Sequence, residues 1–292
     1  MKISLLISGG LGLTILKFIH QFKVISYIAT DSKSDEIIEY AKKNNIPCFT
    51  GNPRNGKLVN FIKSFDNNQV ILSINYLFII EKDVIDSFKY PINFHGSLLP
   101  KYRGRTPHVW AIINNETETG VTAHFIDEGC DTGDIVLQKY ISIDSEDTGD
   151  SILKKFTDVY PEMVKQVITS IEENKLEPTP QNHSLATYFE KRTPDDGEIN
   201  WEWQKERIKN WIRAQAHPYP GAFTFLGKNK LTIDKIKYSD FGFNSSVKNG
   251  TILAVEPTII VKTPNGAIEL ISFREGKENY IENQILGNHE NW

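Results

Sequence analysis

The sequence predicts an α/β fold, in which helices cover both faces of a mostly parallel β-sheet, followed by a small β-rich domain. Apolar segments of strand length alternate with segments of helical spacing through the first half of the 292-residue chain. Such alternation is typical of parallel strands joined by crossover helices. Toward the C-terminus, one short helix is followed by several strand-like segments, which indicates a separate β-rich domain.

The first elements follow this rhythm closely. Residues 3–8 (ISLLIS) have the pattern of a buried strand, residues 9–12 (GGLG) predict a tight turn, and Leu13 to Phe22 predict a helix. Residues 24–30 (VISYIAT) form the next predicted strand, and the helix after it is expected from an N-cap at Ser34 to Asn44. The GGLG turn lacks the full dinucleotide-binding fingerprint, so we assign it no nucleotide.

A candidate ligand wall follows in the same part of the chain. After a short strand in IPCFTGNPRN and a helix from Gly56 to Phe65, residues 70–80 (VILSINYLFII) predict a strand and its carboxyl end. Ligands of open α/β sheets bind at the carboxyl ends of strands. Tyr76 to Ile80 could therefore line a site for a flat heterocycle, or they could be a core strand turning into a helix.

The second half predicts the last strands, a long helix and a linker. Residues 119–127 (TGVTAHFID) and 135–143 (IVLQKYISI) are expected to be neighbouring strands, and Ser151 to Glu173 a helix that Pro161 kinks or breaks. The polar, proline-containing residues 176–200 are typical of a linker between domains.

The C-terminal segments predict a barrel-like or open β domain, with an OB-like fold as one candidate. A helix from Arg207 to Ala216 comes first, and Pro-Asn-Gly at 264–266 marks a hairpin between the last two strands. The predicted strands are residues 222–226, 230–239, 250–256, 258–263 and 267–273. We therefore expect a catalytic domain over residues 1–185 and a β-rich domain over residues 186–292.

Composition excludes several classes of protein. The 33 basic and 37 acidic residues give a net charge of -4, which is not the footprint of a nucleic-acid binder. The two cysteines are too few for a disulfide framework and favour the cytoplasm. The apolar N-terminus lacks a cleavage site for a signal peptide, and no apolar run reaches the length of about 20 residues that spans a bilayer. The seven histidines show no spacing typical of a metal site.

The stretch from Asn93 to Asp134 has the composition of an active site. Asn93 and His95 are two residues apart, so on an extended backbone both side chains point to the same face. The acidic loop DEGCDTGD follows a predicted strand further on, and any of its carboxylates could orient His95. Between them lies a segment rich in Gly, Pro, Lys and Arg, which is neither helix nor regular strand.

Two motifs in this stretch resemble the signature of the formyltransferases that use 10-formyltetrahydrofolate. They are N-x-H-x-S-L-L-P-x-Y-R-G, beginning at Asn93, and D-x-G-x-D-T-G-D, beginning at Asp127. This family includes glycinamide ribonucleotide formyltransferase, methionyl-tRNA formyltransferase and the sugar N-formyltransferases. Residues 191–201 and 211–223 are similar to the two-domain members, above all the formylase domain of the lipid A aminoarabinose pathway.

The resemblance implies a Rossmann-like formyltransferase fold and a set of site residues. The catalytic Asn, His and Asp of the family fall on Asn93, His95 and Asp131, and 10-formyltetrahydrofolate is the implied co-substrate, with no metal. The implied folate contacts are Leu77, Phe78, Ile79, Arg105, Asp127, Glu128, Gly129 and Cys130. The candidate acceptor contacts are Arg192, Arg213 and Tyr219.

In such a site each residue would have a definite chemical task. Asn93 could donate a hydrogen bond to an oxyanion, and His95 could carry protons near neutral pH. Asp131 could either orient His95 or accept a proton from the substrate ammonium, and the sequence leaves both roles open.

We expect formylation of a UDP- or dTDP-linked 4-amino sugar for a surface glycan, because the segments that resemble sugar-acting members and the negative charge both favour it. Methionyl-tRNA formyltransferase is the alternative, and a folate-binding protein without catalysis is a third hypothesis. We expect no nucleic acid or membrane as a partner, and a homodimer stays open.

Overall fold

A computed structural model describes residues 1–65, 69–274 and 280–287 of the chain. The backbone divides into two units, each assembled from three separate segments. The first unit comprises Met1–Gly104, Thr119–Ile141 and Lys155–Phe189. The second comprises Arg105–Glu118, Ser142–Lys154 and Glu190–Trp292. We propose a domain boundary between residues 185 and 186.

A seven-stranded mixed sheet organises the first unit. The strands of this unit, in chain order, are β1 (Lys2–Ile7), β2 (Val24–Thr30), β3 (Cys48–Thr50), β4 (Val70–Ile74), β5 (Tyr90–His95), β6 (Arg103–Gly104), β7 (Glu118–Phe125), β8 (Ile135–Ser142) and β9 (Tyr188–Phe189). The sheet has the order β3-β2-β1-β4-β5-β7-β8, and the short β6 pairs separately with β9. The strands from β3 to β5 are parallel, whereas β7 runs antiparallel to β5. The predicted mostly parallel sheet and the neighbouring positions of β7 and β8 are confirmed.

Helices pack on both faces of this sheet, as predicted. The helices of the chain are α1 (Gly9–His20), α2 (Asp35–Lys43), α3 (Lys57–Ile62), α4 (Lys82–Ile85), α5 (Pro107–Ile113), α6 (Gly149–Glu172) and α7 (Lys205–Ala214). On one face, Leu6 of β1 belongs to a buried cluster with Leu58 of α3 and Val84 of α4. On the other face, Gly12 of α1 lies directly against Ile7. Adjacent residues of β1 therefore serve opposite layers.

The predicted turn at residues 9–12 was wrong, and α6 has no break at Pro161. The GGLG segment is not a separate turn, because α1 begins at Gly9. A side chain at position 12 would have its Cβ 3.0 Å from the Cβ of Ile7, so a glycine there lets the helix start close to the strand. Pro161 does not break α6, which continues through it. Buried neighbours such as Tyr160 and Met163 hold the helix where one backbone donor is missing.

The predicted linker is folded over much of its length. Thr179 forms a β-bridge to Ile135, and β9 pairs in parallel with β6. The first unit extends to Phe189, so this polar segment is part of it up to that residue.

The second unit contains a five-stranded antiparallel sheet, which confirms the predicted β-rich part. Its strands are β10 (Ala222–Leu226), β11 (Asn229–Ser239), β12 (Ile252–Ala254), β13 (Ile260–Thr263) and β14 (Gly266–Arg274), in the order β10-β11-β14-β13-β12. Thr263 pairs with Gly266 at the predicted hairpin. Ile208 and Ile212 of α7 share a buried core with the inner face of the sheet. Across residues 1–65, 69–274 and 280–287, no helix is both long and apolar enough to cross a membrane.

Candidate active site

Asn93 and His95 lie on β5, and the sheet places both on one face. β5 pairs in parallel with β4 and in antiparallel with β7, where Asn93 is opposite His124 and His95 is opposite Thr122. Alternate residues of a strand share a face, so the side chains of Asn93 and His95 project from the same side of the sheet. This arrangement is the one that the sequence predicts for Asn93 and His95.

His95 is 7% exposed, and both of its ring nitrogens face polar groups. Nε2–H donates a hydrogen bond to the carbonyl oxygen of Tyr102 at 2.8 Å. Because a carbonyl oxygen only accepts, the Nε2 atom must carry a proton. Nδ1 is therefore the atom that can gain or lose one, and it lies 3.6 Å from Oδ2 of Asp131.

Asp131 lies between two histidines. Its Oδ1 is 3.6 Å from Nε2 of His124, and its Oδ2 accepts a hydrogen bond of 2.9 Å from the backbone N–H of Gly104. Burial by itself would raise the pKa of Asp131. The charge of His95, the neighbouring His124 ring and the Gly104 amide together bring that pKa well below its usual range. Asp131 is therefore ionised at neutral pH.

His124 is a site residue that the sequence reasoning missed. Its Nε2 lies 3.1 Å from Nδ2 of Asn93, and its Nδ1 lies 2.7 Å from the carbonyl oxygen of Phe125. The signal was present in TGVTAHFID, because alternation places Thr122 and His124 on one face of the strand. The antiparallel register that brings His124 opposite Asn93 was not readable from the sequence.

Gln181 and Arg103 form hydrogen bonds that hold the backbone of Asp131 in place. Gln181 donates from Nε2 to the carbonyl oxygens of Asp131 and Gly133, at 2.9 and 2.7 Å. The fully buried Arg103 donates to Oε1 of Gln181 and to the hydroxyl of Tyr188, both at 2.5 Å. Asp131 has a left-handed backbone conformation with φ of 55°. These bonds hold it in a conformation that residues other than glycine rarely adopt.

The loop before Asp131 is organised by its own side chains. Oδ1 of Asp127 accepts hydrogen bonds from the Gly129 amide at 3.1 Å and from the Thr132 hydroxyl at 2.6 Å. Glu128 forms an exposed ion pair with Lys82 at 2.7 Å. Cys130 is exposed and in no disulfide, and its Sγ lies 3.7 Å from Oδ2 of Asp131. Asp127 therefore shapes the loop, whereas the Glu128 and Cys130 side chains lie at the surface.

An apolar surface follows β4 near this cluster. Ile74, the last residue of β4, pairs with Phe94 between the two site residues of β5. In the loop that follows, Leu77 is 46% exposed and Ile79 is 66% exposed, while the half-buried Phe78 packs its ring against Tyr76. Large apolar side chains held open at the carboxyl end of a strand fit a flat, partly apolar ligand.

Comparison with protein families shows which family the chain belongs to. The family model described as formyl transferase matches residues 15–168, which is more than half of the chain. The model for the formyl transferase C-terminal domain matches residues 191–288. The chain belongs to the formyl transferase family.

Solved structures share the fold of this formyl transferase. One is WlaRD, a sugar 3N-formyl transferase in the presence of dTDP and 5-N-formyl-THF, which is 23% identical, with 96% of this chain and 99% of that chain covered and a TM-score of 0.70. A 4-N formyltransferase from Francisella tularensis is 24% identical, with 78% and 93% covered and a TM-score of 0.65. Methionyl-tRNA formyltransferase from Clostridium thermocellum is 20% identical, with 94% and 100% covered and a TM-score of 0.60.

The remaining predicted site residues of this formyl transferase lie in its second unit. Arg105 is exposed. The Arg192 guanidinium lies between the rings of Trp110 and Trp211, at 5.0 and 4.4 Å from their centroids, and donates to the Asp196 carbonyl.

Arg213 and Tyr219 likewise have partners inside the second unit. Nη1 of Arg213 donates to the main-chain carbonyls of Asp144 and Asp147, at 3.1 and 2.7 Å. The Tyr219 hydroxyl lies 2.9 Å from Nε2 of His108. In the portion of the chain that the structure describes, no group of His, Cys, Asp and Glu side chains could hold a metal ion.

Proposed function

We propose that this formyl transferase transfers a formyl group from 10-formyltetrahydrofolate to the amino group of a nucleotide-linked 4-amino sugar, for the synthesis of a surface glycan. The observation that carries the proposal is the cluster of Asn93, His95 and Asp131, because one strand and one loop bring an amide, an imidazole and an ionised carboxylate together. We also propose the cytoplasm as its compartment, since neither Cys48 nor Cys130 is in a disulfide.

The residues present fit a folate donor. The apolar Leu77, Phe78 and Ile79 offer a surface for a flat ring system, and the backbone of Asp127 to Cys130 offers polar groups for its edge. Arg105, which is exposed, is proposed to contact the negatively charged part of the folate. When bound, the donor supplies an activated formyl carbon attached to nitrogen. The protein's own groups must then stabilise charge and move protons.

Each of the clustered residues has a role that its geometry supports. Attack by the amine nitrogen on the formyl carbon places negative charge on the formyl oxygen, and Asn93 is proposed to donate an N–H group to it. His95 is proposed to take the proton of the attacking nitrogen at Nδ1 and to give it to the departing nitrogen of the donor as the C–N bond to the formyl group breaks, since its Nε2–H is bonded to Tyr102. The low pKa of Asp131 makes it a weak base and favours a role as the counter-charge of protonated His95.

A sugar nucleotide suits this protein better than a charged tRNA. The net charge is -4. The most notable basic cluster in the sequence consists of Lys228, Lys230, Lys235 and Lys237. In the structure Lys237 pairs with Glu269 at 2.8 Å, and the ammonium of Lys230 lies over the Phe223 ring. Lysines engaged in this way are typical of a solvated strand face, so the cluster gives little support to an RNA-binding surface.

Arg192, Arg213 and Tyr219 are the proposed acceptor-side residues. The structure adds that Arg192 is stacked between two indoles and that Arg213 is bonded to two backbone carbonyls. Their proposed contribution is therefore a rigid, positively charged surface for a diphosphate.

The test is a panel of acceptors assayed with 10-formyltetrahydrofolate. It contains 3-amino and 4-amino sugars, each linked to dTDP and to UDP, together with methionyl-tRNA, at low and moderate salt. We expect efficient formylation of a 4-amino sugar nucleotide with a shallow salt dependence, because a diphosphate needs few basic contacts. Formylation of methionyl-tRNA alone, with steep salt dependence, would replace this function with that of the tRNA enzyme. Formylation of only the 3-amino sugars would correct the position of the amine.

A further inference from the structure

The position of His124 on β7 suggests a task that is separate from proton transfer. Its side chain is almost fully buried, at 2% exposure, and both ring nitrogens have polar neighbours. Nδ1 lies 2.7 Å from the Phe125 carbonyl oxygen, and Nε2 lies 3.1 Å from Nδ2 of Asn93 and 3.6 Å from Oδ1 of Asp131. A buried imidazole with every polar atom engaged has a fixed orientation.

The Phe125 carbonyl determines which nitrogen of neutral His124 carries the proton. A carbonyl oxygen can only accept, so Nδ1 must be the donor in this bond. In the neutral ring, Nε2 then has a lone pair and is an acceptor. The Asn93 group that faces it at 3.1 Å is Nδ2, which is a donor. The two assignments agree with each other.

This pairing determines the direction of the Asn93 amide. Rotating the amide by 180° would bring Oδ1 against the lone pair of His124, so two acceptors would meet in a buried place. In the observed orientation one N–H of Nδ2 is bonded to His124, and the second N–H is left for another acceptor. An amide without a fixed partner would divide its time between the two orientations.

We propose that His124 is a positioning residue, which fixes the orientation of the Asn93 amide so that its second N–H is directed at the oxygen of the reacting formyl group. The role of Asn93 in this statement rests on the proposed function. The chain Phe125 carbonyl, His124 ring and Asn93 amide is the physical route by which a backbone group sets the direction of a side-chain donor. His124 itself touches no reacting atom in this scheme.

The kinetic test compares His124→Leu with His124→Gln. Leucine keeps the bulk but removes the acceptor, and we expect turnover to fall roughly 5- to 30-fold with the KM for the formyl donor nearly unchanged. Glutamine restores a carbonyl acceptor and should recover part of the loss. His20→Leu is the matched control, since it removes a histidine of α1 outside the cluster, where its Nδ1 lies 3.0 Å from the hydroxyl of Tyr40 on α2. An equal fall in all three variants, or no fall in His124→Leu, would overturn the proposal.

A double-mutant cycle distinguishes positioning from general structural support. If His124 acts through Asn93, then His124→Leu should cost little further turnover in the Asn93→Ala background. If it lowers turnover by the same factor in both backgrounds, the residue supports the fold and not the amide. Circular dichroism of each variant checks that it is folded.

A spectroscopic test does not depend on the acceptor. Long-range ¹H–¹⁵N correlation spectra of the wild type at neutral pH should show His124 as the neutral tautomer with the proton on Nδ1. A proton on Nε2, alone or together with Nδ1, would overturn the proposal. If no amino sugar is formylated but this tautomer is found, then the proposed function fails while the orientation of Asn93 stands.

Discussion

Two histidines of similar burial, His95 in the first unit and His108 in the second, differ mainly in their neighbours. His95 is 7% exposed and His108 is 9% exposed. Nδ1 of His95 faces the carboxylate of Asp131 at 3.6 Å, whereas Nε2 of His108 faces the hydroxyl of Tyr219 at 2.9 Å. Depth in the protein is therefore the same for both, and the charge of the neighbour is not.

These surroundings change the pKa of His108, Tyr219 and Asp131 in different directions. Burial lowers the pKa of His108 to about 4, and burial followed by the charge of Asp150 raises the pKa of Tyr219 to about 12. Both are neutral at pH 7, so the tyrosine donates and the histidine accepts. Asp131 is charged instead, because the histidines and the Gly104 amide lower its pKa by more than burial raises it. A buried histidine becomes suited to proton transfer only when a neighbour stabilises its charged form.

The largest expected effect concerns the charged cluster. His95→Ala and Asn93→Ala should each lower turnover by at least about 10², since each removes a group with a proposed role in the transition state. His108→Gln, which removes an equally buried ring, should leave turnover at saturating acceptor near that of the wild type, even if the loss of its bond to the proposed acceptor contact Tyr219 raises the KM for the acceptor. Steady-state kinetics on the preferred acceptor measures all three. Near-normal turnover of either site variant would remove that residue from the mechanism.

Removing the charge alone should have a comparable effect. Asp131→Asn keeps the shape of the side chain, and turnover should fall on the order of 10² because protonated His95 loses its counter-charge. Affinity for the folate donor, measured by isothermal titration, should change little. A variant that binds the donor weakly but turns over normally at saturation would make Asp131 a binding residue instead.

The neutral pair should reveal itself in the pH dependence of stability. Unfolded histidine has a pKa near 6.5, so the unfolded chain takes up a proton at His108 before the folded protein does. Above about pH 6.5 the free energy of unfolding is not reduced by His108. As the pH falls toward 4, the free energy of unfolding decreases by at most roughly 3 kcal/mol, because the unfolded chain binds a proton that the folded protein does not. Urea unfolding of the wild type and His108→Gln across that window measures the difference. Identical pH dependence of the two proteins would contradict the neutral assignment.

The last expected effect concerns the stability of the protein at acidic pH and involves Asp131. Its folded pKa lies below the ordinary value of 3.8, so its charge stabilises the fold above that pH, and the stabilisation is lost as the pH falls further. The wild type should therefore be more stable than Asp131→Asn at pH 7, and the gap should narrow below about pH 4. A gap that widens on acidification would show that the carboxylate is not held in its charged form.

The sequence was sufficient for the features that follow from local periodicity. The two-residue period of a strand placed Asn93 and His95 on one face, and the strand pattern of residues 119–127 was correct. The acidic loop could be located, but the choice of Asp131 among its carboxylates needed the resemblance to a family. The structure then supplies the distances of 3.6 Å that relate this carboxylate to the two histidines.

What could not be predicted depends on contacts between distant residues. Arg103 and Gln181 are 78 residues apart, and the latter lies in a polar stretch whose composition is typical of a linker. His124 was not predicted as a site residue, because it reaches Asn93 only through the register between β5 and β7. That register cannot be deduced from a local sequence pattern. The start of α1 at Gly9 depends on the close approach of Gly12 to Ile7, which is also a property of packing.

The folded part of the predicted linker has a consequence for proteolysis. Leu185 and Tyr188 are exposed, so a protease can reach this segment, and yet Tyr188 and Gln181 are the partners of the buried Arg103. A single cleavage between Gln181 and Tyr188 would separate the two partners of Arg103 and so weaken the hydrogen bonds that hold the Asp131 backbone. Every residue of the cluster would stay intact. Loss of activity after one nick near residue 186 would therefore report on the backbone of Asp131. Gln181 is roughly 165 Å of extended chain from Asp131 by sequence and one hydrogen bond from it in space.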